Sequence, residues 1–128
     1  MTTSVAIKNK INSQLVRVDS VFVNPIQLEN FNHMQEVLGG DCFAISLPQD
    51  ILLWRGTTSG RSIFEHTITI RYGKKAEHLL GSVLITSNDE DHLDGICSLS
   101  DNQLKWLRDN FQLEKSELHG NYVLTFNA

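Results

Sequence analysis

The stretch from Ile63 to Tyr72 constrains the fold of this chain most strongly. It reads IFEHTITIRY. One face of a strand drawn through it carries Phe64, His66, Ile68, Ile70 and Tyr72. Such alternation is typical of a strand with one buried and one exposed face. Antiparallel sheets accept strands of this kind, whereas strands of parallel sheets are apolar on both faces. The pattern therefore predicts an antiparallel sheet.

A first helix is predicted over residues 25–38. The sequence Asn24-Pro25-Ile26-Gln27 offers a capping side chain, a proline suited to the first helical position and a glutamine that can bond back to the cap. Gly39-Gly40 follows as a stop that accepts positive φ. Apolar residues between these signals recur at helical spacing, at Leu28, Phe31, Met34 and Leu38.

A second helix is predicted over residues 101–111. Ser100 and Gln103 stand in the spacing of a capping box, in which each side chain bonds to the other residue's backbone. Leu104, Leu107 and Phe111 then form a short apolar stripe.

The remaining apolar runs predict further strands. Two of them, CFAISL and ILLW, are separated by the turn residues Pro48-Gln49-Asp50. Two more are LLGSVLITS, which contains Gly81, and YVLTF near the end of the chain. The segment QLVRVDSVFVN predicts either one bulged strand or two short strands. Strands and helices do not alternate regularly, so the order favours an α+β fold. We expect a mostly antiparallel sheet of about five to seven strands with two helices.

Length and hydropathy predict one α+β domain over residues 1–128. The chain is 41% hydrophobic, which suits a single core. It contains no apolar run of membrane-spanning length, and its first residues are too polar for a secretory signal. We therefore expect a cytoplasmic protein that contacts no membrane. Cys42 and Cys97 are too few for a disulfide framework and are interpreted as reduced thiols.

Net charge disfavours a nucleic-acid partner. The chain carries a formal charge of −4, whereas nucleic-acid binders present a basic surface. The charge is uneven, because Ile51 to Thr86 contains five basic residues against two acidic ones. The middle of the chain can therefore hold a local anion site.

The segment RGTTSGRS predicts the best anion site in the sequence. Backbone amides in a glycine-rich turn can form a nest for an anion, and arginine grips phosphate oxygens bidentately. A P-loop is excluded because no Lys-Ser/Thr pair opens a helix here. The alternative is a plain connection between strands. The predicted ligand-binding residues are Arg55, Thr57, Thr58, Ser59, Gly60, Arg61 and Arg71.

The segment SNDEDHLDG predicts an acidic loop. Its spacing does not match a calcium-binding loop, so the loop is either a solvated turn or a docking surface for a protein. Trp106 lies off the apolar stripe of the second helix, which favours a contact with a partner or in a homodimer, whereas Trp54 ends an apolar run and is expected in the core. The predicted partner-binding residues are Asp89, Glu90, Asp91, Asp94 and Trp106.

Catalytic and metal-binding motifs are missing from the sequence. The five histidines form no HxH or HxxxH pair, and no nucleophile elbow, zinc-protease motif or dinucleotide fingerprint occurs. His66 is expected as a hydrogen-bonded core or sheet-end residue. We therefore predict that the protein is not an enzyme and has no metal and no cofactor.

Several segments between Phe22 and Phe111 resemble a small domain family of phages and mobile elements. They are VLGG at the end of the first helix, the later GSVLIT strand, the acidic loop after it and the SLSDNQ helix start. The resemblance implies an accessory protein that interferes with host machinery, and it implies no catalytic residue.

Two functions follow as hypotheses. The first is a non-catalytic accessory protein, encoded by a phage or mobile element, that binds a host protein as an inhibitor or anti-defence factor. The alternative is a protein that binds or sequesters a small anionic ligand such as a nucleotide.

Overall fold

The computed structural model describes residues 10–17, 24–56, 63–88, 95–118 and 120–128. Its helices are α1 (Phe31–Leu38) and α2 (Asp101–Asn110). Its strands are β1 (Ile11–Val16), β2 (Pro25–Leu28), β3 (Cys42–Leu47), β4 (Ile51–Gly56), β5 (His66–Tyr72), β6 (Lys75–Leu80), β7 (Val83–Asn88), β8 (Ile96–Cys97), β9 (Phe111–Lys115) and β10 (Tyr122–Asn127). No helix within these ranges is long and apolar enough to cross a membrane.

The strands form two sheets. One has six strands in the order β2-β1-β7-β4-β3, with β8 also paired to β7, and the other has four in the order β6-β5-β10-β9. Among the strand pairs of the described chain, β5 with β10 is parallel and the others are antiparallel. The predicted α+β class with mostly antiparallel strands is confirmed. The expected five to seven strands were too few, because several short strands lack a clear apolar run.

The six-stranded sheet lies between two apolar cores. The first core joins this sheet to the four-stranded sheet and α2, and its fully buried side chains include Leu53, Ile70 and Leu107. The second core joins the opposite face of the six-stranded sheet to α1, through Met34 and Leu38. Burial of both faces explains the unbroken apolar run in β4, whose first four residues are all buried.

The predicted start of the first helix is wrong. Pro25–Leu28 forms β2 and pairs antiparallel with β1, so that Gln14 stands opposite Pro25. The helix begins only at Phe31, where the side chain of Asn30 accepts a hydrogen bond from the backbone amide of His33 at 2.8 Å. The predicted stop is confirmed, because Gly39 ends the helix in the left-handed conformation with φ 88°.

The predicted capping box of the second helix is confirmed. Ser100 Oγ accepts a hydrogen bond from the amide of Gln103 at 3.1 Å, and the Gln103 side chain accepts one from the amide of Ser100 at 2.9 Å. The helix ends at Asn110. Phe111, predicted in its last turn, is instead the first residue of β9 and packs in the core between the sheets.

Gly81 separates two strands where the sequence predicted one. Its φ of 84° breaks the extended backbone of LLGSVLITS. The residues before Gly81 end β6 in the four-stranded sheet, and those after it form β7 in the six-stranded sheet. The glycine therefore carries the chain from one sheet to the other.

Replacing Gly56 by alanine should destabilise the fold. A Cβ atom at Gly56 would lie 2.9 Å from the backbone oxygen of Leu38, which is closer than the atoms can pack. Relief of such a clash requires a backbone shift, so we expect Gly56→Ala to lower the free energy of unfolding by about 1–3 kcal/mol. Chemical denaturation measures this difference. An unchanged midpoint would contradict the close approach of β4 to the end of α1.

Candidate functional site

An apolar groove opens between β3 and the four-stranded sheet. Its volume is about 460 Å³. Trp106 of α2 lines it and packs against Phe126 of β10, with the ring centroids 5.5 Å apart. Tyr72 lies on the same groove with 45% of its surface exposed. Ser46, Leu47 and Pro48 bring the end of β3 to the groove. Its apolar lining can accept a large apolar side chain.

β3 is an edge strand with few features that discourage further pairing. All six of its residues pair with β4 in continuous register, and no described strand lies on its other side. Its sequence CFAISL contains no charge and no proline, and Phe43 and Ala44 are exposed. Natural edge strands are commonly protected by charged residues, prolines or bulges, so an edge without them is a template for another strand.

The outer strands β2, β6 and β9 carry such protective residues, and β8 is only two residues long. β2 is four residues long and starts with Pro25. β6 contains Lys75 and Glu77, and β9 contains Glu114 and Lys115. β3 is thus the edge most open to strand addition.

The two tryptophans occupy different environments. Trp54 is 9% exposed, its indole Nε1 donates to Thr86 Oγ1 at 3.0 Å, and Phe31 packs edge-on against it. The prediction of a core role for Trp54 is confirmed. Trp106 is only partly buried and lines the groove, so it remains available to a partner.

Arg55, predicted in the anion site, is held on the side of β4 that faces the other sheet. Its guanidinium lies 4.6 Å from the ring centroid of Phe43, and an amine nitrogen lies 3.5 Å from Glu77. These contacts are typical of a cation–π pair with a neighbouring ion pair. The arginine therefore joins β3, β4 and β6.

Arg71, also predicted in the anion site, contacts two carboxylates. Its guanidinium donates to Glu114 at 2.6 Å and to Glu117 at 2.7 Å. The pKa of Arg71 is raised, chiefly by the hydrogen bond to Glu114 and then by that to Glu117. The pKa of Glu114 is lowered, chiefly by Arg71 and further by a hydrogen bond from Thr125. An anion at Arg71 would have to compete with both carboxylates.

Arg71→Met should therefore destabilise the protein in a pH-dependent way. Glu114 has its folded-state pKa lowered below the ordinary value of 4.5, so its ion pair stabilises the fold above that pH and is lost as the pH falls through the folded-state pKa. We expect a small loss at pH 7 that vanishes in acid. Thermal unfolding across this range measures it, with Arg108→Met as a control at another exposed arginine. A loss that persists in acid would contradict the ion-pair account.

Most of the predicted loop sites lie outside the described residues. Of the anion site, this holds for Thr57, Thr58, Ser59, Gly60 and Arg61. Of the partner site, it holds for Asp89, Glu90, Asp91 and Asp94. Arg55 and Arg71 lie in different sheets. The described residues therefore bring together none of the predicted ligand set, and Trp106 is the predicted partner residue whose surroundings are known.

A buried polar network lies at the start of β5. His66 is fully buried, with Nδ1 2.7 Å from Ser116 Oγ and Nε2 2.7 Å from Thr69 Oγ1. The Thr69 hydroxyl lies 3.1 Å from Nδ1 of His78. The prediction of a hydrogen-bonded core histidine is confirmed. Its predicted place on one face with Ile68 is wrong, because a β-bulge between these residues shifts the register.

Ser116 and Thr69 were missed as partners of His66. One weak indication of this network was present in the sequence, the polar residue Thr69 in a strand that was predicted from its alternating apolar residues. Ser116 lies 50 residues away along the chain, and only the pairing of β5 with β10, and of β10 with β9, brings it near.

The two cysteines form no disulfide bond, and one of them has a weakened thiol. Both are free, as predicted. The pKa of Cys42 is raised, first by burial and then by the charge of Asp41, and a thiol with a raised pKa is a weak nucleophile at neutral pH.

No family model matches this chain, and neither the curated proteins nor the solved structures contain a match to it. The resemblance to a phage and mobile-element domain family therefore stays a prediction. The function has to be argued from the geometry of the groove and of β3.

Proposed function

We propose that this protein is a non-catalytic domain that binds an extended segment of another protein. The segment adds as a strand to the open edge of β3 and places one large apolar side chain in the groove beside Trp106. The observation that carries the proposal is the meeting of these two features at Ser46–Pro48, where a strand laid along β3 would reach the groove.

Known modes of peptide recognition favour this arrangement. In strand addition, main-chain hydrogen bonds to an exposed sheet edge supply affinity, and pockets for individual side chains supply specificity. Tryptophan is also enriched among residues that dominate binding energy. Trp106 and the exposed ring of Tyr72 both line the groove and offer such contacts.

The identity of the partner follows from the family resemblance and is part of the proposal. Phage and mobile-element accessory proteins act on host proteins, so the bound segment would belong to a host protein that this chain inhibits. The acidic residues between Asp89 and Asp94 would contact the host protein outside the segment bound at β3. Arg55 and Arg71 each lie against carboxylates, which argues against the alternative of a small anionic ligand at these arginines.

Selection from a displayed library of random peptides tests the proposal with a defined probe. We expect enrichment of strand-forming peptides that carry one large apolar residue. Ala44→Lys adds an exposed charge to β3 and should abolish the enrichment. Gln112→Lys adds the same charge to β9 and is the matched control, since β9 already carries Lys115 and Glu114. Equal enrichment on both variants would contradict binding at β3.

Salt dependence should separate this site from the acidic loop. Binding through backbone hydrogen bonds and an apolar side chain is expected to change little between low and high ionic strength, because no charge pair contributes. Binding through the acidic loop is expected to weaken strongly. Fluorescence anisotropy of a selected, labelled peptide measures both cases. A strong salt effect would indicate that the peptide binds at Asp89–Asp94 and not at β3.

A further inference from the structure

A second cavity lies at the opposite edge of the six-stranded sheet, between the β1–β2 pair and the start of α2. Its volume is about 440 Å³. Asn12 pairs with Gln27 and Gln14 pairs with Pro25, so these four side chains lie on one face of the sheet. All four line the cavity, together with Leu104 of α2. The cavity is separate from the groove beside Trp106.

Hydrogen bonds hold the walls of this cavity in place. The Leu99 amide donates to the carbonyl of Asn12 at 2.9 Å, and the Asn12 amide donates to Ser98 Oγ at 2.9 Å. The capping box at Ser100 fixes the first turn of α2 directly afterwards. The cavity is therefore formed before any ligand enters, which is usual for small-molecule sites.

The polar side chains around the cavity leave one acceptor unused. The Gln27 amide donates to Asn12 Oδ1 at 3.2 Å, and the Ser13 hydroxyl donates to the carbonyl of Ile26 at 3.0 Å. Gln14 is only 6% exposed, and its Oε1 atom has no hydrogen-bond partner among the described residues. A buried acceptor without a partner destabilises a fold, and such groups are rare in folded proteins.

A ligand for this cavity must therefore bring a donor. The Oε1 atom itself is buried, so a ligand reaches it only if the side chain rotates, and the terminal torsion of a glutamine side chain is soft. Asp101 adds a carboxylate at the cavity, and Leu99 and Leu104 add apolar surface. One neutral acceptor, one carboxylate and an apolar wall together suit an ammonium group on an aliphatic stem.

We propose that this cavity binds a primary amine. The ammonium donates to Gln14 Oε1 and pairs with Asp101, and the aliphatic stem packs against Leu99 and Leu104. The site does not depend on the proposed peptide-binding function, because it lies on the β1–β2 edge and shares no lining residue with the groove.

Titration with three matched compounds tests the chemical class. Butylamine, butan-1-ol and butyrate each contain four carbon atoms and differ in the head group. Chemical shifts of backbone amides near Asn12 and Leu99 report binding. We expect saturable shifts with butylamine and none with butyrate. Binding of butan-1-ol with the same affinity as butylamine, or tighter binding of butyrate, would overturn the proposal.

Two methionine variants test the role of Gln14 and keep the side chains similar in size. Gln14→Met removes the unused acceptor and should weaken butylamine binding about tenfold, while raising the midpoint of chemical denaturation. Gln112→Met, on β9 and away from the cavity, should leave butylamine binding within about twofold of the wild type. Unchanged binding by Gln14→Met, with a lowered midpoint, would show that bound water alone satisfies Gln14 and would overturn the proposal.

A fourth compound distinguishes the two sources of such an amine. Nα-acetyl-lysine methylamide presents the ammonium as a lysine side chain in a peptide would. Tighter binding of this compound than of butylamine assigns the cavity to a lysine of a protein partner, and the reverse order assigns it to a free small amine. Failure of both to bind would overturn the proposal without affecting the peptide selection at β3.

Discussion

His66→Phe is expected to lower the free energy of unfolding by about 2–5 kcal/mol. Phenylalanine fills a similar volume but leaves the hydroxyls of Ser116 and Thr69 without the ring nitrogens that lie 2.7 Å from each. A buried polar group that loses a partner costs about 1–3 kcal/mol, although each hydroxyl keeps a second contact, Thr69 with His78 Nδ1 and Ser116 with the Leu118 amide. The expected loss is a large part of the stability of a small domain. Urea denaturation followed by circular dichroism measures the loss.

The neighbouring histidine provides the matched control for this variant. His78 is only half-buried, and its ring packs against that of His66 with the centroids 4.9 Å apart. His78→Phe removes one hydrogen bond from Thr69 at a site that water can reach, so it should cost less than about 1.5 kcal/mol. Equal losses for the two variants would contradict the central place of His66 in the network.

Trp106→Ala is expected to weaken binding of a selected peptide by about thirtyfold or more. The indole lines the groove and supports Phe126, and removing a tryptophan at the centre of an interface commonly costs 2 kcal/mol or more. Isothermal titration with a library-selected peptide measures the change. Because Trp106 also packs against the core, the variant should lose some stability, so titrations are made well below its unfolding temperature.

An exposed apolar residue away from the groove provides a control for nonspecific hydrophobic binding of the peptide. Leu113 on β9 is 49% exposed, and Leu113→Ala removes apolar surface without touching the groove. We expect peptide affinity within about twofold of the wild type for this variant. A Trp106→Ala variant that is folded and binds with unchanged affinity would place the apolar anchor elsewhere.

Elements governed by local chemistry were predicted from the sequence. The capping box at Ser100, the glycine stop at Gly39 and the hairpin between CFAISL and ILLW all depend on residues within a few positions of one another. The predicted strand at β5 is confirmed from His66 to Tyr72, but its predicted exposed face is wrong, because the first five residues are all buried, and Ile63–Glu65 forms a 3-10 turn. Local backbone preferences are sufficient to decide such features.

Features that depend on pairing between distant segments were not predicted. Asn24-Pro25 and Asn30 are both good helix starts, and pairing of β2 with β1 excludes the first of them. Division into two sheets depends on Gly81, whose positive φ does not follow from the sequence LLGSV alone. The groove combines β3, β5, α2 and β10, so the surroundings of Trp106 could not be predicted from the sequence, and its role as a contact residue stays a prediction.

The edge character of β3 illustrates the same limit at the candidate site. CFAISL looks like any apolar strand, and its lack of charge would be unremarkable in the centre of a sheet. Only the sheet order places it on the outside with Phe43 and Ala44 exposed. The functional proposal thus depends on topology more than on any motif.

Amide hydrogen exchange of β3, with and without a selected peptide, tests the central claim most directly. A strand added to this edge gives partners to backbone amides that face away from β4, so exchange within residues 42–47 should slow markedly while exchange in β9 is unchanged. Unchanged exchange in β3, together with protection between Asp89 and Asp94 or in β9, would contradict strand addition at β3.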